Sequence, residues 1–329
     1  MKWYFRFWIA AAALMLLLGW SIAPAPQREN EAASPPAEKP AAAMDADEEM
    51  LLRVRIGGEE REMTMAEYLL GVLRAEMPAE FEPEALKAQT IAARTYTIHK
   101  MAAGEIAAHP GIDACDDITC CKAYKDAAAA AEDWGSMALY YEEKLARAVR
   151  ETDGEILVYE GQPVLAVFFS SSGGQTQRAG DVWLKDLPYL QSVSSAEEAE
   201  TVEAERSEAY FTAAQFRAAV QAQWSDVRLG DDARAYIRDI ERNAAGYVTT
   251  LEVGGVRVKG NELRTVLGLR SPNFTVEAEK DGITFHVIGY GHGVGMSQYG
   301  AQAMARAGAE AQEIVEHYFK GAVLTQWKK

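Results

Sequence analysis

Residues 7–23 read FWIAAAALMLLLGWSIA without a single charge, and residues 24–48, which follow, are rich in Pro, Ala and Glu. Together these two stretches confine any packed core to the remainder of the chain. About 20 apolar residues cross a bilayer as a helix, and a run of 17 lies at the lower edge of that range. Lys2 and Arg6 precede the run, and basic residues favour the cytoplasmic side, which puts everything downstream across the membrane. The sequence predicts an uncleaved transmembrane anchor over residues 1–23. A cleaved signal peptide is the rival, but Pro24 and Pro26 disturb any small-residue cleavage site. Five of the eleven prolines fall between Pro24 and Pro40. Residues 24–49 are therefore expected to be a semi-extended linker, with too little apolar surface to offset the entropy of ordering. One extracytoplasmic body over residues 50–326 is the expected remainder, in a single-pass protein of the cell membrane.

A chain of 329 residues that is 49% apolar can fill such a body. Its net charge of −16 disfavours a general binder of nucleic-acid phosphates, which needs a basic face. Most of that charge is local: residues 24–50 and 197–208 carry −5 each. A site for another anionic polymer thus stays open. Three cysteines cannot all pair within the chain, so a disulfide scaffold is not expected.

Within the body, LLRVRI (51–56) and EEREMT (59–64) flank Gly57-Gly58 and predict a hairpin. Thr64 and Glu67 form a capping box, so a helix begins there and must end before Pro78. A second helix is predicted from Pro83 to about residue 102, since proline at the first helical position loses no hydrogen bond. Helix is also expected over 138–150, and a hairpin over 156–160 and 164–170 around Gly161-Gln162-Pro163. Thr212 and Gln215 make another capping box. Strands are predicted at 246–253, 274–279 and 283–289, and helices at 297–307 and 310–320. Strands and helices mix without βαβ alternation, so the expected class is α+β, a mixed sheet with helices.

Three places carry chemistry-bearing residues. The first is the junction Leu73-Arg-Ala-Glu76-Met-Pro78. A carboxylate on the last turn of a helix opposes the helix dipole, and a raised pKa suits an acid that must hold its proton near neutrality. A solvated glutamate beside a turn is the plain alternative. The second is the loop from His109 to Cys121, which holds His109, Cys115, Cys120 and Cys121 within thirteen residues. Thiolates and imidazole in a set of four suit a structural zinc, with no open position for water. A Cys115–Cys120 disulfide or three reduced thiols remain the alternatives. The third pairs two loops. Gly289-Tyr-Gly-His292-Gly-Val-Gly-Met-Ser-Gln298-Tyr-Gly300 follows a strand and opens a helix, with backbone free to pass close to a ligand. Ser170, Ser171, Ser172, Gly173, Gly174 and Gln175 offer hydroxyls and an amide suited to a neutral sugar, or an ordinary polar turn. Gln89, Arg94 and Tyr96, on the helix after the junction, are candidates for a groove beside Glu76, although Gln89 and Arg94 can equally face solvent. Trp134 is read as a core anchor. Glu80, Glu82 and Glu84 are read as solvated.

Three long motifs then stand in order: GVLRAEMPAEFEPEALKAQTIAARTY (71–96), FFSSSGGQT (168–176) and GYGHGVGMSQYGA (289–301). From about residue 50 to 322 the chain resembles the SpoIID/LytB family of stage II sporulation proteins. The resemblance implies a membrane-anchored lytic transglycosylase of peptidoglycan, acting on peptide-stripped glycan during forespore engulfment beside a SpoIIP-like amidase. It implies that Glu76, in the EMP motif, is catalytic. It also implies a zinc loop of the kind some members carry, onto which His109, Cys115 and Cys121 map, with Cys120 where such members can have histidine. Two other readings stand beside it: a non-catalytic glycan-binding activator of a wall amidase, and a zinc-dependent wall hydrolase.

Overall fold

The computed structural model describes residues 46–104, 109–183, 185–195 and 206–327. The predicted anchor, the linker up to residue 45 and most of the acidic run 197–208 lie outside the described residues. No described helix is long and apolar enough to cross a membrane.

The linker ends earlier than its composition suggested. Residues Ala46–Glu49 form a helical turn (α1) whose Asp47 is buried against the body. Strands β1 (Leu51–Ile56) and β2 (Glu59–Thr64) pair antiparallel around Gly57-Gly58, as predicted. Thr64 caps helix α2 (Met65–Glu76) through both hydrogen bonds of the capping box. Met77 ends it in extended geometry (φ −131°, ψ 135°), which the following Pro78 requires. Helix α3 (Pro83–Ala102) then starts with proline at its first turn.

Helix α3 runs through the middle of the main core and packs against neighbours on every side. Its sequence explains how: Ala85, Ala88, Ala92 and Ala93 allow close approach. Thr90, Thr95 and Thr97 return their hydroxyls to the carbonyls of Leu86, Ile91 and Ala93 at 2.7–2.9 Å, so no buried hydroxyl is left bare. Two-residue strand β3 (Ala114–Cys115) adds parallel to β1. Helices α4 (Ala127–Trp134) and α5 (Ala138–Glu151) are joined by a 3₁₀ turn. Strand β4 (Glu155–Tyr159) pairs briefly with β5 (Gln162–Pro163). The single strand expected over 164–170 is not formed. The chain leaves the hairpin, and β6 (Phe168–Phe169) takes a parallel partner far along the sequence. A short helix α6 (Ala179–Val182) follows.

The chain next builds a second hydrophobic core, from residues between 209 and 287. Strand β7 (Ser207–Thr212) leads through the Thr212–Gln215 capping box into α7 (Ala213–Gln223). Strands β8 (Ile237–Arg242), β9 (Val248–Val253) and β10 (Val256–Lys259) form one antiparallel sheet, followed by helix α8 (Gly260–Leu267). Strands β11 (Phe274–Glu279) and β12 (Gly282–Val287) join β7 in another. At its centre Phe216 stacks on Phe285, which Phe274 meets edge-on.

The chain then returns to the first core. Strand β13 (Met296–Ser297) pairs with β6, Ser297 caps α9 (Gln298–Arg306), and α10 (Ala311–Tyr318) and β14 (Val323–Gln326) close the fold, β14 alongside β4. The class is α+β, in several small sheets rather than one. The β6–β13 pair clamps the two ends of the excursion, and that clamp brings the serine and glycine loops together.

Candidate functional site: a carboxyl at the floor of a polar cleft

The end of α2 and the turn after it form one wall of a cleft of about 320 Å³, lined by Arg74 to Glu80, Trp134, Ser170, Gln298 and Tyr299. The three motifs of the sequence thus meet here, each contributing a polar side chain beside Glu76. Glu76 is half-buried, and its Oε1 accepts the Ala123 N–H at 3.1 Å. Burial pushes its pKa up, against the opposing pull of the Lys122 ammonium and that N–H. The carboxyl thus keeps its proton to higher pH than an ordinary glutamate.

Lys122 and Ala123 were not singled out in the sequence, because nothing in their spacing ties them to Glu76. Lys122 is buried between two rings, its Nζ 4.1 Å from the centre of Tyr96 and 3.8 Å from that of Phe168. Burial lowers its pKa to about 8. Trp134, expected as a core anchor, packs half-buried against the main core and also lines the cleft. Glu80, expected to be solvated, is exposed and stands at the cleft's edge.

The predicted binding residues divide. Ser170 and Gln298 line the cleft. Gln89 is fully buried behind Gln298, whose Nε2 lies 3.4 Å from Gln89 Oε1. Gln89 has no solvent face, and among the described residues its Nε2 finds no partner. Arg94 corrects the expectation outright: it faces neither groove nor solvent. It is wholly buried, gripping Asp47 with Nε at 2.8 Å and Nη2 at 2.5 Å and donating to Glu155 O at 3.0 Å. Tyr96 turns its hydroxyl to Cys120 O at 3.2 Å and its ring to Lys122, so it supports the site from behind.

The remaining loop residues stand away from the cleft lining. Ser171 is buried and pairs its backbone with Tyr290. Ser172 is buried too, and its Oγ accepts the Gly174 N–H while its carbonyl accepts the Tyr247 hydroxyl. Gly173 and Gly174 make the turn with φ of +71° and +118°. Gln175 is exposed and donates to Ser192. His292 lies between Phe169 and Trp183, its Nδ1 accepting the Val294 N–H at 3.1 Å. Burial, with Lys122 and Arg264, drives its pKa down to about 3, so it is a neutral imidazole. The glycines have a use other than the expected one. A Cβ on Gly289 would stand 2.6 Å from Ser171 O, and one on Gly295 2.2 Å from Val167 O, both at positive φ. What the backbone approaches closely is the β6 segment and the serine loop that follows it.

The His/Cys loop packs beside this site. Strand pairing fixes Cys115, and Cys120 and Cys121 both donate their N–H to Asp117 O, the tight turn that adjacent ligands require. Donor atoms of His109, Cys115 and Cys120 all lie within 4.8 Å of one another, and Cys121 packs into the same cluster. Burial pushes all three thiols up, Cys120 to about 11, so a metal would have to displace their protons. In type and spacing this donor set fits zinc. None of the four lines the cleft.

Fold and cleft together define an α+β protein with a half-buried carboxyl of raised pKa in a polar groove that also carries Arg74 and Glu80. A family model described as Stage II sporulation protein matches residues 58–159. Stage II sporulation protein D of Bacillus subtilis (strain 168) is 38% identical over 266 residues, covering 80% of this chain and 74% of that protein. The protein of the same name from Bacillus amyloliquefaciens is 37% identical over 263 residues, with the same coverage. An amidase enhancer of Bacillus subtilis is 28% identical over 309 residues, covering 79% of this chain and 40% of that protein. The chain belongs to the stage II sporulation protein D family.

Proposed function

We propose that the protein is a lytic transglycosylase, which cuts the bond between N-acetylmuramic acid and N-acetylglucosamine in peptide-stripped peptidoglycan during sporulation. The observation that carries this is Glu76: a carboxyl whose burial favours the protonated form, facing a cleft shared with Ser170 and Gln298. Protonated Glu76 donates to the glycosidic oxygen, and the C1–O bond breaks through an oxocarbenium-like state. The carboxylate then takes the proton of the muramyl C6 hydroxyl as that oxygen closes onto C1, leaving a 1,6-anhydro end and a regenerated acid. One residue serves as acid and then base, where ordinary glycoside hydrolysis needs two. Ala123 N–H and Lys122 stabilise the carboxylate between the two steps. Ser170 and Gln298 supply hydrogen bonds to hydroxyl and N-acetyl groups.

His109, Cys115, Cys120 and Cys121 would hold zinc as a structural clasp, cross-linking the loop that continues into Lys122 and Ala123. In this proposal the anchor at residues 1–23 holds the folded body outside the membrane, beside a SpoIIP-like amidase that prepares the substrate. The amidase enhancer among the relatives favours a second reading, a glycan-binding protein that stimulates an amidase without cutting glycan itself. A Glu76→Ala variant separates the two. Loss of anhydro-ended fragments with glycan binding retained supports the enzyme, whereas undiminished release contradicts it.

A further inference from the structure

The aromatic side chains at the rim of the cleft continue beyond it. Trp134 lines the wall, and Tyr141 meets its ring edge-on with centroids 5.7 Å apart. Tyr140 follows at 5.6 Å from Tyr141. Exposure rises outward along this row: Trp134 and Tyr141 are half-buried, whereas Tyr140 is 60% exposed. Tyr140 also borders a second cavity, of about 460 Å³, between the start of α3 and α5. The two cavities share a wall. Ala79 and Glu80 line the Glu76 cleft, and both their carbonyls accept hydrogen bonds from Lys144 Nζ, at 3.0 and 3.1 Å, a residue that lines the second cavity. On the near side, Arg74 of the cleft is forked onto Glu142 of α5, with its Nε at 2.9 Å. Helix α5 is therefore fixed to the cleft at two points, and its ring-bearing first turn is held in place.

We infer that Trp134, Tyr141 and Tyr140 form a track that carries the glycan strand out of the Glu76 cleft and across to the second cavity, binding sugar units remote from the bond that is cut. The inference rests on the cleft being a glycan site. The cleft's own volume is at the lower end of what holds one small ligand, so a polymer seated at Glu76 must leave it. The way out past Trp134 is paved with rings. Pyranose rings present faces of axial C–H groups that lie flat on aromatic faces, while the exposed Tyr140 hydroxyl reaches sugar hydroxyls and Glu80 holds the Tyr141 hydroxyl. Rings already in contact with one another lose little conformational freedom on binding. Continuity with the cleft selects the strand over a protein as the occupant: the exposed apolar surface starts at the site instead of standing apart from it.

The test uses the full chain carrying Glu76→Gln, so that strands are bound without being consumed, and peptide-free glycan strands as the probe. Tyr140→Ala in that background is expected to weaken co-sedimentation with long strands by about three- to tenfold, the effect of one stacked ring, with an unchanged melting temperature. Tyr140→Phe is expected to retain most of the binding. Leu139 is 88% exposed beside Tyr140 and belongs to no ring pair, so Leu139→Ala is expected to leave binding unchanged. Equal binding by Tyr140→Ala, or an equal loss with Leu139→Ala, overturns the track. So does a result in which both variants keep glycan binding but lose stimulation of a partner amidase, which would mark the patch as a protein-docking surface. Failure of Glu76 as the acid leaves this comparison intact, because it reads binding alone.

Discussion

Glu76 shows how a single residue can be legible in sequence while its chemistry is set elsewhere. Pro78 fixes the end of α2 and so the placement of the carboxyl, and both could be read from the six residues Leu73 to Pro78. The direction of its pKa shift also agreed with the sequence, but its leading cause is burial in the cleft wall; the helix dipole invoked from the sequence is not needed. The groups that oppose the shift, Lys122 and the Ala123 N–H, sit across the fold, and only the packing of the cysteine loop brings them there. This yields a pH prediction. An acid that must begin protonated loses rate as pH rises through its pKa, so cleavage should fall along an alkaline limb governed by Glu76. Lys122 favours the carboxylate, so replacing it by a neutral side chain of similar length raises the Glu76 pKa further. Lys122→Met is therefore expected to move that limb to higher pH in a pH–rate profile. A limb displaced to lower pH would show that the ammonium does not act on Glu76.

At the level of elements, what was legible followed local rules, and what was not depended on distant partners. Both threonine capping boxes, the Gly57-Gly58 hairpin and the starts of α2 and α3 are decided within a few residues. The pair β6–β13 is decided by a segment more than a hundred residues away, so a long apolar run such as VLAVFFS looked like one strand. Strand β7 opens at the end of the acidic run 197–208, and it alternates half-buried and exposed positions against β12. Arg94 was misread for a related reason. Helices that carry an arginine usually show it to water, but α3 is enclosed on all sides and its charge is met by Asp47 from what looked like a linker. Removing one member of such a buried pair leaves the other without compensation, at a cost of roughly 3–5 kcal/mol. Asp47→Ala is expected to lower the denaturant midpoint accordingly, with cleavage per folded molecule unchanged, since Asp47 lies away from the cleft lining. Lost cleavage at full stability would contradict a purely structural role.

On the scale of the whole molecule, the chain folds out from the first core, builds a second and returns, and this route determines which motifs can meet. The three motifs were visible in order; that Ser170 and Gln298 converge on Glu76 while Gln175 and His292 do not follows from how the β6–β13 clamp seats the two loops. The second core was hidden because its strands, three of them predicted, carry an alternation that says nothing of which core they pack into. The cysteine loop belongs to this scale as well, since it ties β1 and α3 to the backbone that reaches Glu76. Chelation of zinc-loaded protein is expected to lower its melting temperature while cleavage persists in the fraction that stays folded; abolished activity in demonstrably folded metal-free protein would instead give the metal a part in the chemistry. The central claim, that one carboxyl passes a proton out and takes another back, is tested most directly by mass analysis of the fragments released from peptide-stripped glycan strands. Fragments ending in 1,6-anhydro-N-acetylmuramic acid, absent with Glu76→Ala, are the expected result. Reducing ends would mean hydrolysis by water, and the absence of any fragment would leave a protein that binds glycan without cutting it.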